Sequence, residues 1–150
     1  MIGILRGLIT TMSTHFRRPV TVQYPDERLP LAPRYMGFPT LIYDEEVGEP
    51  RCTGCQICMR NCPNTCITVT MKDNEKAKEG KSPRKKIVDQ YELDYPRCML
   101  CSICVEVCPF DAIKMSHLHE FAADDPANVV FNLDQLLDLG KIDLEKRGGN

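Results

Sequence analysis

The sequence predicts an α+β fold: a small core that repeats itself about a pseudo-twofold axis, preceded by an amphipathic helix and an extended arm. Three observations predict it. Eight of the nine cysteines fall into two copies of one spacing, C-x2-C-x2-C-x3-C-P. A step of 46 positions carries Cys52 onto Cys98, and with it Ile57 onto Ile103, Pro63 onto Pro109 and Ile67 onto Ile113. Ahead of the repeat come a helical apolar pattern and then a stretch holding six prolines, from Pro19 to Pro50.

The N-terminal element is read as a helix over residues 1–18. On a helical wheel Met1, Ile2, Ile4, Leu5, Leu8, Ile9, Met12 and Phe16 share one side, and Arg6, Thr10, Ser13, Thr14 and Arg17 the other. Pro19 ends the pattern, because a proline pushes the preceding residue out of helical geometry. Such a helix suits a membrane surface or a partner subunit. Residues 19–50 read as an extended docking arm, with a short strand at Val20–Tyr24 and apolar residues from Leu29 to Tyr43. Residues 51–118 form the repeated core. Ile67–Met71 and Tyr91–Tyr95 alternate apolar and polar with period two, and Ile113–Met115 is the shorter counterpart of the former. Between the halves, the charged segment 72–86 reads as a solvated loop. Residues 119–150 form a partly helical extension. There Asn132 caps a helix carrying Leu133, Leu136, Leu137 and Leu139, Gly140 closes it, and the end frays.

Thiolates in close spacing are the ligands that iron–sulfur clusters select, because both partners are soft. The cysteine run is the one established for bacterial two-cluster ferredoxins. In those proteins the fourth cysteine of each run ligates the other cluster. By that pattern Cys52, Cys55, Cys58 and Cys108 hold one [4Fe–4S] cluster, and Cys98, Cys101, Cys104 and Cys62 hold a second. The core is then ferredoxin-like. Pro63 and Pro109 turn the chain away after each crossing ligand. Gly54, Ile57, Met59, Met99, Leu100, Ile103, Val105 and Val107 are expected to keep water from the clusters. A zinc ribbon would show two separated CxxC pairs, which is not this pattern. Disulfides are disfavoured by the odd cysteine count, the metal-like spacing and the lack of a signal-peptide pattern, so a reducing, cytosolic compartment is expected.

A net charge of −2 argues against a nucleic-acid binder. Arg17–Arg18 is followed by no apolar region, so it is not read as an export signal, and no run of apolar residues is long enough to span a membrane. No nucleophile–base pair or phosphate-binding loop is present, and no catalysis is expected from the isolated chain. The ninth cysteine, Cys66, has Ala112 as its counterpart in the repeat, which suggests a small buried residue. His15, His117 and His119 lie in no motif and read as surface or interface residues.

The segments before the first run carry a more specific signal. Gly7-Leu-Ile-Thr10, His15-Phe-Arg-Arg-Pro-Val-Thr-Val-Gln-Tyr-Pro-Asp-Glu27 and Leu31-Ala-Pro-Arg-Tyr-Met-Gly-Phe-Pro-Thr-Leu41 precede Arg51-Cys52. Together with the cysteine runs, these resemble subunit I of NADH–quinone oxidoreductase, the two-cluster ferredoxin-like subunit of respiratory complex I. The resemblance covers about the first 120 residues. It implies an iron–sulfur electron-transport subunit of a proton-translocating translocase, passing electrons from peripheral-arm clusters toward a terminal cluster and quinone. The implied partners are the other hydrophilic and membrane subunits. The implied location is peripheral, on the cytoplasmic side of a bacterial cell membrane, with residues 1–18 on the membrane surface. Two alternatives stay open: the equivalent subunit of a related membrane-bound hydrogenase or dehydrogenase, and a diffusible eight-iron ferredoxin.

Overall fold

The computed structural model describes residues 2–148. The chain divides into two compact units, residues 1–31 and residues 32–150.

The first unit contains helix α1 (Ile2–His15), in which no residue is buried. Ile2, Ile4, Leu5, Leu8 and Ile9 are all more than half exposed, and Phe16 just beyond the helix is as open. On the polar side, the hydroxyls of Thr10, Thr11, Ser13 and Thr14 donate to carbonyls one turn back. The strand anticipated at Val20–Tyr24 does not form, and Val20 is fully exposed. Alternation in a short peptide makes a strand only where a partner strand completes its hydrogen bonds.

The second unit opens with β1 (Pro39–Leu41), followed by the two-stranded hairpin β2 (Tyr43–Asp44) and β3 (Glu49–Pro50). These strands fall within the segment the sequence reads as an arm, yet Phe38, Thr40 and Leu41 are buried. The first cysteine run contains the short helix α2 (Ile57–Arg60) and leads into β4 (Ile67–Asp73). A single turn, α3 (Glu75–Lys78), joins β4 to β5 (Lys86–Asp94). The second run contains α4 (Ile103–Glu106) and leads into β6 (Ile113–Met115). Strand β7 (Val130–Phe131) and helix α5 (Leu133–Gly148) complete the unit.

Pairing is antiparallel throughout and crosses between the halves. β1, which precedes the first run, pairs with β6, which follows the second; Leu41 faces Ile113. β5, which precedes the second run, pairs with β4, which follows the first; Leu93 faces Ile67. β7 adds to the outer side of β5. In β4 the alternation holds for Ile67 and Val69, which are buried. It then breaks at a bulge between Val69 and Met71, which leaves Met71 38% exposed. One core joins the two sheets, with Leu41, Ile67, Val69, Tyr91, Leu93, Ile113, Phe131 and Leu136 at its centre.

Helix α5 starts as the sequence predicts. The Asn132 side-chain oxygen accepts from the Gln135 amide at 3.0 Å, and the Gln135 side-chain oxygen accepts from the Asn132 amide at 2.9 Å, a reciprocal capping box. It does not stop at Gly140. A Cβ there would lie 2.3 Å from the Leu41 carbonyl oxygen, so this glycine permits close packing of α5 on β1 and is not a terminator. Farther along, Asp143 accepts from the His117 amide at 2.6 Å. Of the frayed C-terminus anticipated from sequence, residues 149 and 150 lie outside the described residues.

Candidate iron–sulfur site

The two cysteine runs fold alike at the backbone. Residues with positive φ occur in three pairs, each 46 positions apart: Gly54 and Leu100, Gln56 and Ser102, Thr65 and Asp111. Gln56 and Ser102 stand immediately before α2 and α4, at φ 65° and 62°. Left-handed residues reverse the chain tightly, so successive cysteines of a run face the same side. The turns after the runs match as well. Thr65 donates its amide to the Cys62 carbonyl at 3.2 Å, and Asp111 to the Cys108 carbonyl at 3.5 Å.

Two cavities result. One is lined by Cys52, Cys55, Cys58 and Cys108, with Ile57, Val69, Phe110, Ala112 and Ile113 among the remaining walls. The other is lined by Cys98, Cys101, Cys104 and Cys62, and also by Cys66, with Ile67, Leu93, Leu100 and Ile103. Each cavity thus gathers three cysteines from one run and the fourth from the other. The exchange of strands brings this about: β4 and β6 carry the ends of the runs across to the opposite half. Both openings are partly lined by chain that faces solvent. Met99, expected to exclude water, is 60% exposed, and Cys101 is exposed too.

Burial governs the thiols. It pushes Cys52 and Cys104 up to about 12, and raises Cys58. Neighbouring cysteines add to the rise, since clustered negative charges oppose ionisation. Cys62 behaves differently. Burial pushes it up, but the amide of Cys66, the thiol of Cys66 and the amides of Asn64 and Thr65 outweigh that and lower it. Sulfur acceptors are met by backbone donors elsewhere. The Gly54 amide lies 3.4 Å from Cys52 Sγ, and the Ala112 amide 3.4 Å from Cys108 Sγ. The buried Tyr91 hydroxyl of β5 reaches Cys58 Sγ at 3.9 Å. Burial raises its pKa well above the usual phenol value, and Cys58 and Cys104 raise it further.

These features suit iron–sulfur clusters. The donor set of each cavity is soft thiolate alone, among apolar walls, with no carboxylate or imidazole. Within the first run the Thr53 hydroxyl is buried without a hydrogen-bond partner among the described residues, yet Thr53 lines the cavity. A cluster bound there would offer this hydroxyl sulfur acceptors. Among the described residues no three donors converge as a single metal ion requires. A four-iron cluster spreads its thiolates farther apart than one ion does.

The histidines fall outside both cavities. His117 lies 3.2 Å from the Pro33 carbonyl oxygen, and Tyr35 packs edge-on against His117 and His119. His15 packs edge-on against Phe16. Sequence reading placed Cys66 as a small buried residue, and it is 5% exposed. What that reading missed is its position on the wall of the second cavity, 3.3 Å from Cys62 Sγ. The four-residue interval from Cys62 carried the signal, since Ala112 stands at the same interval from Cys108.

Comparison with known proteins agrees with this chemistry. Residues 51–112 match the 4Fe-4S dicluster domain. The chain is 39% identical over 139 residues to NADH-quinone oxidoreductase subunit I 2 of Symbiobacterium thermophilum, covering 92% of this chain and 55% of that protein. It is 40% identical over 92 residues to the protein of the same name from Anaeromyxobacter dehalogenans, covering 58% of this chain and 31% of that one. The chain thus spans about half or less of the length of these relatives. A looser likeness, with TM-score 0.49 and 26% identity over 77% of this chain and 53% of the other, joins it to the membrane-bound sulfane sulfur reductase, an archaeal respiratory membrane complex. Two [4Fe–4S] clusters are the cofactors of this protein. The chain is a homologue of proteins named NADH-quinone oxidoreductase subunit I and carries a 4Fe-4S dicluster domain over residues 51–112.

Proposed function

We propose that this chain is the electron-relay subunit of an NADH–quinone oxidoreductase. Electrons enter from peripheral-arm clusters, cross its two clusters in turn, and leave toward a terminal cluster and quinone. Cys52, Cys55, Cys58 and Cys108 hold one cluster, and Cys98, Cys101, Cys104 and Cys62 the other. The observation that carries this reading is the sorting of eight cysteines into two sets of four, each completed by the opposite run. A bound cluster supplies one-electron chemistry. The polypeptide holds each cluster by four thiolates, limits water with aliphatic walls, and links the two halves through the crossing ligands Cys62 and Cys108. No proton or group transfer is assigned to its side chains.

Residues 1–18 serve as the membrane-surface or subunit-contacting segment and the exposed residues 19–34 as a docking arm, while residues 38–50 pack into the core with the cluster domain of residues 51–118, and residues 119–150 form an extension. The exposed apolar side chains of α1 support an interfacial role, and among the described residues no helix is long and apolar enough to cross a membrane. The proposed location is peripheral, on the cytoplasmic side, against the hydrophilic and membrane subunits of a proton-translocating complex. Gentle detergent extraction with identification of the co-purifying subunits tests the assembly. NADH-oxidising and quinone-site subunits are expected; hydrogenase-type partners would replace this reading. Ligation is tested by Cys62→Ala with EPR of the reduced protein. The signal lost should be the one that Cys98→Ser also abolishes, and loss of the Cys52-set signal alone would reject the crossed pairing.

A further inference from the structure

The two crossing ligands follow the same backbone turn, and the residue four beyond each differs in whether it carries a thiol. At the first cavity, Ala112 donates its amide to Cys108 Sγ, four residues back, at 3.4 Å. At the second cavity the residue four beyond Cys62 is Cys66, whose amide serves Cys62 in the same way. Cys66 carries in addition a thiol, 3.3 Å from Cys62 Sγ. It is buried, and lines the same cavity as Cys62, Cys98, Cys101 and Cys104. That cavity is therefore lined by five cysteines where a [4Fe–4S] cluster takes four thiolates.

As an iron ligand Cys62 is a thiolate and has no proton to give. The hydrogen bond between the two sulfurs then runs one way, with Cys66 donating and Cys62 accepting. Reduction places an extra negative charge on a cluster and its ligand sulfurs. A donor aimed at one of those sulfurs stabilises the reduced state more than the oxidised one. We propose that Cys66 is a positioning residue whose thiol hydrogen-bonds the Cys62 sulfur and raises the reduction potential of the cluster held by Cys62, Cys98, Cys101 and Cys104. The inference rests on the ligand assignment proposed above. Ala112 at the corresponding place supplies no such donor, so the molecule contains its own control.

The test is an EPR-monitored redox titration of the full-length protein carrying both clusters. Cys98→Ser first identifies which reduced signal belongs to the second site. Cys66→Ala should lower the potential of that signal and leave the other in place. The expected change is several-fold to about tenfold in the reduction equilibrium, the latter about 59 mV for one electron. Cys66→Ser keeps a donor and should hold the potential at or above that of the unaltered protein. Ala112→Cys adds the thiol at the first site and should raise the other signal. A role in packing alone would move neither potential selectively, and would not be rescued by serine. If Cys66→Ala shifts neither signal, or Ala112→Cys leaves its signal unmoved, the inference falls and the ligand assignment stands. If Cys66→Ala shifts only the signal that survives Cys98→Ser, the ligand assignment falls and the inference with it.

Discussion

A methyl group added at Gly54 would sit 2.8 Å from Cβ of Met71 and 2.9 Å from the Thr70 carbonyl oxygen, on a backbone with φ of 73°. The first run is thereby pressed against β4, and its amide is aimed at Cys52 Sγ. Gly54→Ala combines left-handed strain with overpacking, at a cost of about 2–4 kcal/mol. The thermal midpoint should fall, and iron bound per chain should drop below that of the unaltered protein. Residue-scale reading from sequence singled out the eight cysteines that line the two cavities, because metal chemistry restricts both residue type and interval. It was weaker for Met99. An apolar residue inside a run reads as shielding, but the opening of the second cavity faces outward there, and Met99 is exposed. Gly54 was read as a small lining residue. That a carbonyl of β4 lies behind it is a matter of distant chain, which local pattern does not encode.

The segment 72–86 shows what an element adds to its composition. It reads as a solvated charged loop, yet the structure ties it to the β2–β3 hairpin. Glu49 of β3, 2% exposed, accepts from Asn74 at 3.0 Å, from Arg84 at 3.0 Å and from the Ser82 hydroxyl. Arg84 also pairs with Asp44 of β2. Asn74 accepts from the Lys76 amide, capping α3, and donates to the Arg84 carbonyl. Burial alone would raise the Glu49 carboxyl, but the bonds from Ser82, Asn74 and Arg84 outweigh it and hold it below its ordinary value of 4.5. Asp44 is likewise lowered, first by its hydrogen bond to Arg84. A carboxylate whose pKa is lowered by folding stabilises the fold fully above its ordinary value. That contribution is lost as pH falls toward the lowered one. Glu49→Gln should therefore cost about 2 kcal/mol at pH 7, and the gap from the unaltered protein should narrow below pH 4.5. Denaturant midpoints of both proteins at pH 7 and near pH 4 measure it. Helix α5 gives a second check. Asn132→Ala removes half of its capping box, and a loss of about 1 kcal/mol is expected in the same denaturation assay. Its cap was legible because an asparagine directly before a helical apolar pattern is a local signal. Its passage through Gly140 was not, since that depends on how closely β1 approaches.

At the scale of the whole molecule, two compact units carry separate signals. The unit of residues 32–150 holds the cysteines and the core; that of residues 1–31 holds an amphipathic helix with no buried residue. Deletion of residues 1–17 should leave both clusters, seen by iron content and reduced-state EPR, while co-sedimentation with membranes falls. Unchanged co-sedimentation would count against an anchoring helix. Within the larger unit the halves are interlocked by strand exchange, β1 with β6 and β5 with β4. An aromatic group of Phe38, Tyr95, Phe121 and Phe131 links the start of β1, the lead into the second run, and the C-terminal extension. The extension is thus part of the cluster domain's packing, with Leu136 and Leu137 buried in the same core.

Sequence alone determined the cofactor chemistry, the two runs and their equal spacing, the helical start and the cap of α5. Each of these is a local rule: ligand softness, turn geometry, helical period and capping act over a few residues. Tertiary structure alone decided that residues 38–50 enter the core and that segment 72–86 is anchored on Glu49. It also placed the thiol of the ninth cysteine, Cys66, against Cys62 Sγ. These depend on strands far apart in the chain pairing with each other, and the hydrogen bonds and close contacts that select those partners have no expression in local spacing.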